Sequence, residues 1–180
     1  MRVITGCARG TPLKTLAGEE ITRPTGDRVK QALFNALQFD IEGRAVLDLF
    51  AGSGQLGIEA LSRGAASCVF VERDLTAAEV VKDNLKAAKL FAQAHVLTAE
   101  AVAFARHTAD RFDIVFLDPP YASDLIEQTL PLLSDKINRN GTAVCETDAE
   151  KALPDTVGAL TLTRCAKYGK TRLWFYRKEE

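Results

Sequence analysis

The chain has 180 residues, 47% of them apolar and 26% charged, and its 23 Lys plus Arg against 24 Asp plus Glu leave a net charge of −1. This is a globular mixture long enough to bury a core without metal or disulfide staples, which sets aside disordered tails and disulfide miniproteins. No stretch approaches the ~20 apolar residues of a membrane span, and the N-terminus lacks the apolar run of a signal peptide. Cys7, Cys68, Cys145 and Cys165 form no C-x-x-C pair, so zinc-ribbon and redox motifs fall away. Four scattered thiols are expected to fill small gaps in the core of a cytoplasmic protein.

Residues 1–22 read as an extended, turn-rich arm punctuated by Gly6, Gly10, Pro12 and Gly18. From Thr25 to Leu37 the apolar residues fall at helical spacing, with Asp27 in the first turn where the helix dipole favours an acid. After Gly43 a regular alternation begins. Strands are predicted at 45–50, 68–71, 94–97, 113–117 and 142–145, with helices at 55–63, 75–90, 99–107 and 125–133 between them. Strands alternating with helices of this length make βαβ units and a parallel sheet. The last two β-rich runs, 160–162 and 172–176, are joined by Tyr168-Gly-Lys-Thr with no crossover helix, so they are expected to pair antiparallel. One domain is expected over 1–180: an arm (1–22), a helical segment (23–40) and a doubly wound core (44–180).

Charge is unevenly spread along this near-neutral chain. Residues 1–45 carry +2, residues 46–163 carry −7 and residues 164–180 carry +4. Folding that joins the two ends would give a positive face; the plainer reading is that these terminal charges only keep the chain soluble.

Gly52-Ser-Gly54-Gln-Leu-Gly57 fits G-x-G-x-x-G between a predicted strand and a helix, and Glu72 follows 20 residues after Gly52 at the end of the next strand. Glycines permit tight turning and close backbone approach, and the carboxylate accepts from ribose hydroxyls, so the loop predicts a nucleoside-type cofactor. Asp48 narrows the choice. A fixed negative charge there disfavours a pyrophosphate and favours the ammonium of an aminoacyl group, which S-adenosylmethionine carries. Glu100 and Ala101, after the third strand, offer an acceptor and a backbone donor for an adenine edge. By itself, Glu100 reads better as a first-turn helix acid.

Asp118-Pro119-Pro120-Tyr121 ends the fourth predicted strand, beside the first in a doubly wound order. Two prolines stop the hydrogen-bond ladder and hold a rigid turn. The Asp118 carboxylate and the Pro119 carbonyl are two acceptors, and Tyr121 presents an aromatic plane. An exocyclic base amine needs that set, because its lone pair is delocalised and two acceptors stabilise the charge that develops as it attacks a methyl group. The ring stacks on a base turned out of its helix. The competing reading is a strand-ending turn with a solvent-facing acid.

The segments Thr22-Arg-Pro-Thr25, Arg28-Val29, Ala32-Leu-Phe-Asn35, Asp48-Leu-Phe-Ala-Gly-Ser-Gly54, Gly57-Ile-Glu-Ala-Leu-Ser-Arg-Gly64, Val71-Glu72, Asp118-Pro-Pro-Tyr121 and Tyr168-Gly-Lys-Thr-Arg-Leu173 resemble the RsmD-type bacterial methyltransferases. The resemblance spans residues 1 to about 177. It departs at Gln55, where a small apolar residue is usual, and at Glu100, where Asp is commoner. It implies a seven-stranded, Rossmann-like class I methyltransferase fold with S-adenosylmethionine as donor. It also implies guanine N2 of 16S rRNA in a small-subunit particle as the target. In that light Thr25 and Arg28, at the start of the first helix, would receive the donor's methionine carboxylate; the alternative is simple capping by Thr25 with Arg28 solvated. Arg9, Lys14, Lys167, Lys170 and Arg172 are candidate phosphate contacts. A monomer with no metal and no membrane partner is expected. His95 and His107 read as surface residues, and Trp174 and Phe175 as core. The rival functions are an adenine-N6 DNA methyltransferase, an NAD-dependent oxidoreductase and a non-enzymatic ribosome assembly factor.

Overall fold

Strand and helix periodicities are realised in a computed structural model that describes residues 1–17 and 26–179. The arm doubles back on itself through an antiparallel bridge between Arg2 and Pro12. It leads towards α1 (Gly26–Ala36), β1 (Ala45–Asp48), α2 (Gln55–Ser62), β2 (Ser67–Glu72), α3 (Leu75–Ala87) and β3 (Ala94–Thr98). Then come α4 (Ala101–His107), β4 (Phe112–Leu117), α5 (Leu125–Leu133) and β5 (Ile137–Asp148), followed by β6 (Thr156–Val157), β7 (Leu160–Tyr168) and β8 (Thr171–Lys178).

The strands form one sheet in the order β3-β2-β1-β4-β5-β8-β7-β6. The first five pair in parallel, and β8, β7 and β6 are antiparallel. The expected architecture therefore holds, with two-residue β6 added as an eighth strand at the edge. The order reverses at β1, with β2 on one side and β4 on the other. Ligands of open α/β sheets bind outside the carboxyl ends of strands at such a point.

Alternation along each strand separates two apolar clusters. Val46, Phe70, Ile114, Phe116, Val144, Leu173 and Phe175 face α1, α2 and α3. Leu47, Val71, Val115, Leu117, Cys145 and Trp174 face α4 and α5. Side chains at i and i+2 share a face, so Asp48, Asp118 and Glu146 continue the first set, beneath α1 and α2. The arm is fixed to that side by charge as well as by Val3 and Leu13. Glu59, fully buried on α2, accepts from the amides of Ile4 and Thr5, both at 2.9 Å, and ion-pairs with Lys30 at 3.2 Å and Arg63 at 3.0 Å. Lys30 also donates to the carbonyl of Arg2.

Three expectations need correction. Only Cys68 and Cys145 are buried, whereas Cys7, on a turn of the arm, and Cys165, on β7, are exposed. β5 starts five residues earlier than its apolar run and ends three later, and β7 runs on to Tyr168. His95 is exposed on edge strand β3 and His107 is exposed at the end of α4, while Trp174 and Phe175 are each 5% exposed in the core, as expected.

Candidate active site

The glycine loop sits between the end of β1 and α2, with Gly52 and Gly54 in left-handed conformations at φ 55° and 83°. Side chains disfavour that region, so the loop's course depends on glycine here. A Cβ on Gly57 would lie 2.3 Å from the Phe70 ring, so the third glycine lets α2 approach β2. Glu72 lies under the loop rather than away from it. Its carboxylate accepts from the amides of Gly52 and Asp74, both at 2.9 Å. Asn84 of α3 donates to the carbonyl of Ser53 at 2.9 Å and bonds both backbone groups of Lys14, so the arm and α3 jointly brace the loop.

Asp48 is 1% exposed, and one carboxylate oxygen accepts from the Gly57 amide at 3.0 Å. Its other oxygen and the Ser53 hydroxyl are buried without a hydrogen-bond partner among the described residues. Burial, with a smaller contribution from the nearby Glu72 charge, pushes the Asp48 carboxyl up to about 7 against the opposing Gly57 bond. Buried orphan acceptors are uncommon and call for an explanation. Two at one glycine loop fit a site built to meet the donor groups of a ligand.

Asp118 of the Asp-Pro-Pro-Tyr turn lines a cleft with the first residues of α2, which follow the loop. This cleft is lined by Gln55, Leu56, Asp118, Glu146 and Thr171 together with Lys30 and its neighbours on α1. Asp118 is half-buried, Pro119 buried and Tyr121 36% exposed. The Tyr121 hydroxyl donates to Glu146 Oε1 at 2.9 Å and meets the Thr171 hydroxyl at 2.8 Å, which pins the ring's far end while leaving part of the ring open to solvent. The turn is closed by the Ser123 hydroxyl donating to the Pro120 carbonyl at 2.7 Å.

Among the described residues, none of the other predicted site residues lines this cleft. Glu100 is exposed at the N-cap of α4, and Ala101, the first residue of that helix, is buried. Arg28 is exposed in the first turn of α1, and Thr25 lies outside the described residues. Arg9 and Lys170 are exposed, Lys14 pairs with Asp83 at 2.8 Å and Lys167 with Glu150 at 3.2 Å, and Arg172 lies over the Trp174 ring. Lys30, Glu59 and Glu146 were not foreseen. The first two occupy apolar positions of helical patterns. Glu146 had a signal: Asp48, Glu72, Asp118 and Glu146 each follow an apolar run at the carboxyl end of a predicted strand.

A family model described as conserved hypothetical protein 95 matches residues 1–177. Among relatives, YlbH of Bacillus subtilis, provisionally named an rRNA methyltransferase, is 44% identical over 99% of both chains. The ribosomal RNA small subunit methyltransferase D of Haemophilus influenzae is 42% identical over 85% of this chain and 81% of its own, and that of Escherichia coli is 35% identical over 99% and 90%. The solved structure of yhhF from Escherichia coli superposes with a TM-score of 0.89 at 35% identity, over 99% of this chain and 98% of that one. An RNA methyltransferase from Salinibacter ruber, solved with S-adenosyl-L-homocysteine, shares the fold at 17% identity with a TM-score of 0.68 over 88% and 95%. The chain belongs to the family of the ribosomal RNA small subunit methyltransferase D proteins.

Proposed function

We propose that this protein methylates the exocyclic N2 amine of a guanine in 16S rRNA, with S-adenosylmethionine as donor. Family membership supports methylation of ribosomal RNA. The observation that carries the chemistry is one cleft that brings Asp118 of the Asp-Pro-Pro-Tyr turn together with Gln55 and Leu56, the first residues of α2 after the glycine loop.

The residues fit the donor. Its ammonium would answer the unpartnered Asp48 oxygen. The ribose hydroxyls would bond Glu72 beside Gly52 and Gly54. The adenine edge would take Glu100 and the Ala101 amide, and the methionine carboxylate would meet Arg28 in the first turn of α1. When bound, S-adenosylmethionine supplies an electrophilic methyl group on a sulfonium sulfur. The chain's own part lies on the acceptor side. Asp118 and the Pro119 carbonyl accept the two N–H bonds of the amine and stabilise the positive charge that develops on nitrogen. The proton leaves after transfer, so no strong general base is required. Tyr121 stacks on the extruded base, held upright by its own hydroxyl contacts.

Labelled methyl transfer to naked 16S rRNA, small-subunit particles and DNA, followed by nucleoside analysis, tests the reading. N2-methylguanosine in the ribosomal arms is expected. Asp118→Ala should lower turnover by at least about a hundredfold, the scale of removing one transition-state acceptor. Label in N6-methyladenine of DNA, or full turnover by Asp118→Ala, would reject it.

A further inference from the structure

Asn84 is a buried polar side chain of α3, 1% exposed, that methyl transfer itself does not use. It lies on the helix face that packs against the glycine loop. Val81, one turn earlier on that face, is so close that a Cβ on Gly54 would stand 3.0 Å from its Cγ1. The Asn84 carboxamide spends both of its hydrogens and its oxygen on backbone. Oδ1 accepts from the Lys14 amide at 2.7 Å, while Nδ2 donates to the Lys14 carbonyl at 3.0 Å and to the Ser53 carbonyl at 2.9 Å. These partners fix its orientation, because the one N–H needs the oxygen and the two carbonyls need the two hydrogens. A single side chain thus closes a two-bond ring with the arm and holds the glycine loop with its third bond.

Neither half of this bridge is independent of the other. Lifting the arm at Lys14 would leave the carboxamide oxygen without its donor at a buried position, and would free the group to turn away from Ser53. Buried polar networks of this kind are held or lost together. We propose that Asn84 is a positioning residue that couples docking of the arm at Lys14 to binding of the donor at the glycine loop. This inference rests on the donor reading above, in which Ser53 lies between the two glycines beside the ribose, and adds to it a dependence on the arm. Such coupling is reciprocal: if the docked arm raises donor affinity by some factor, bound donor closes the arm by the same factor. The Lys14 ammonium provides a contrast. It pairs with Asp83, the residue before Asn84, at 2.8 Å in an exposed contact, so Asp83→Ala removes that pair and leaves the backbone ring in place.

Amide hydrogen exchange of the full chain, with and without saturating S-adenosylhomocysteine, measures the coupling. The reference is the Ala159 amide, which also donates to a side chain, the Ser134 hydroxyl at 2.9 Å, but lies beside edge strand β6 with no bond to the loop. S-adenosylhomocysteine should slow exchange at Lys14 by at least about fivefold more than at Ala159, the lower end of the usual range for coupled sites. Asp83→Ala should keep that response. Asn84→Ala should weaken S-adenosylhomocysteine binding by at least about fivefold in calorimetry. Its KM for the donor should rise in step while kcat at saturating donor stays within about twofold, the pattern of lost ground-state positioning. A purely structural Asn84 would lower the thermal transition and leave the donor's Kd unchanged. The inference is overturned if Lys14 and Ala159 respond alike in wild type, a result that needs no variant to fold, or if Asn84→Ala binds with wild-type affinity. If wild type binds no S-adenosylhomocysteine at all, the donor reading fails first and the coupling falls with it.

Discussion

Asp48 is the residue whose behaviour is set most sharply by its surroundings. A carboxyl whose ordinary value is 3.8 is raised to about 7 by burial under the glycine loop. The folded state therefore binds a proton that the unfolded state has released between those values, and its stability falls as pH rises through that window. Below pH 4 the effect is absent, and above pH 7 it is complete at roughly 4 kcal/mol, about 1.4 kcal/mol for each unit of displacement. In Asp48→Asn the titration is gone. Urea denaturation at pH 5 and pH 8 should show wild type losing a few kcal/mol more than the variant over that interval. Equal losses would mean that Asp48 is ionised in the fold at both pH values. Saturating S-adenosylhomocysteine, by placing an ammonium near the carboxylate, should shrink the wild-type loss. The acid itself was legible as a charge at the end of an apolar run. Its burial was not, because a sequence does not show that the loop folds over its own strand and seals the carboxylate against the Gly57 amide.

Elements with a compact apolar run or a helical period were legible within a few residues, as β1, β4 and α5 show. β5 was partly hidden, since Asn138-Arg-Asn-Gly141 reads as a turn. The chain accommodates it inside the strand: Phe112 pairs with Ile137 but Ile114 pairs with Thr142, so extra residues bulge out around Asn140, whose φ is 61°. β7 was shortened for another reason. Between β8 and the two-residue β6 it buries only Leu160, so its residues lack the apolar signature of a central strand. The junction of arm, α1 and α2 escaped altogether, because it is made by charges at core positions. Burial lowers the pKa of Lys30, and the Glu59 charge opposes that shift. Removing one partner of such a pair leaves an uncompensated buried charge and costs about 3–5 kcal/mol. Glu59→Gln should lose that amount in chemical denaturation and expose the arm to faster proteolysis near Ile4 and Thr5. Lys30→Met combined with Glu59→Gln should recover part of the loss, because the more deeply buried Lys30 charge is no longer left without its carboxylate. A double variant no more stable than the single one would show that Glu59 acts chiefly through the arm amides and Arg63.

At the scale of the whole molecule, near-zero net charge conceals basic ends that both contribute apolar residues to the same face of the sheet. Val3 and Leu13 of the arm share an apolar cluster with Leu173 and Phe175 of β8. The cations on these segments are not equally available. Lys14 and Lys167 meet carboxylates, but in exposed pairs, and such pairs contribute little and exchange readily for another anion. Arg172 is ordered over the Trp174 ring on the α4–α5 face of the sheet, and Lys170 stands on the β7–β8 turn next to Thr171 of the cleft wall. Removing these two tests whether this rim of the sheet holds phosphates of the RNA. A phosphate contact displaces a condensed counterion, so affinity for RNA should fall log-linearly with salt, with a slope of about 0.7–0.9 per contact. Lys170→Ala with Arg172→Ala should weaken binding to the substrate RNA and flatten the slope by about 1.4–1.8, with the affinity for S-adenosylhomocysteine unchanged. Binding titrations from 50 to 300 mM salt supply both numbers. An unchanged slope would place the RNA path on the arm's Arg9 and Lys14 instead, since a cation that touches no phosphate releases no counterion when it is removed.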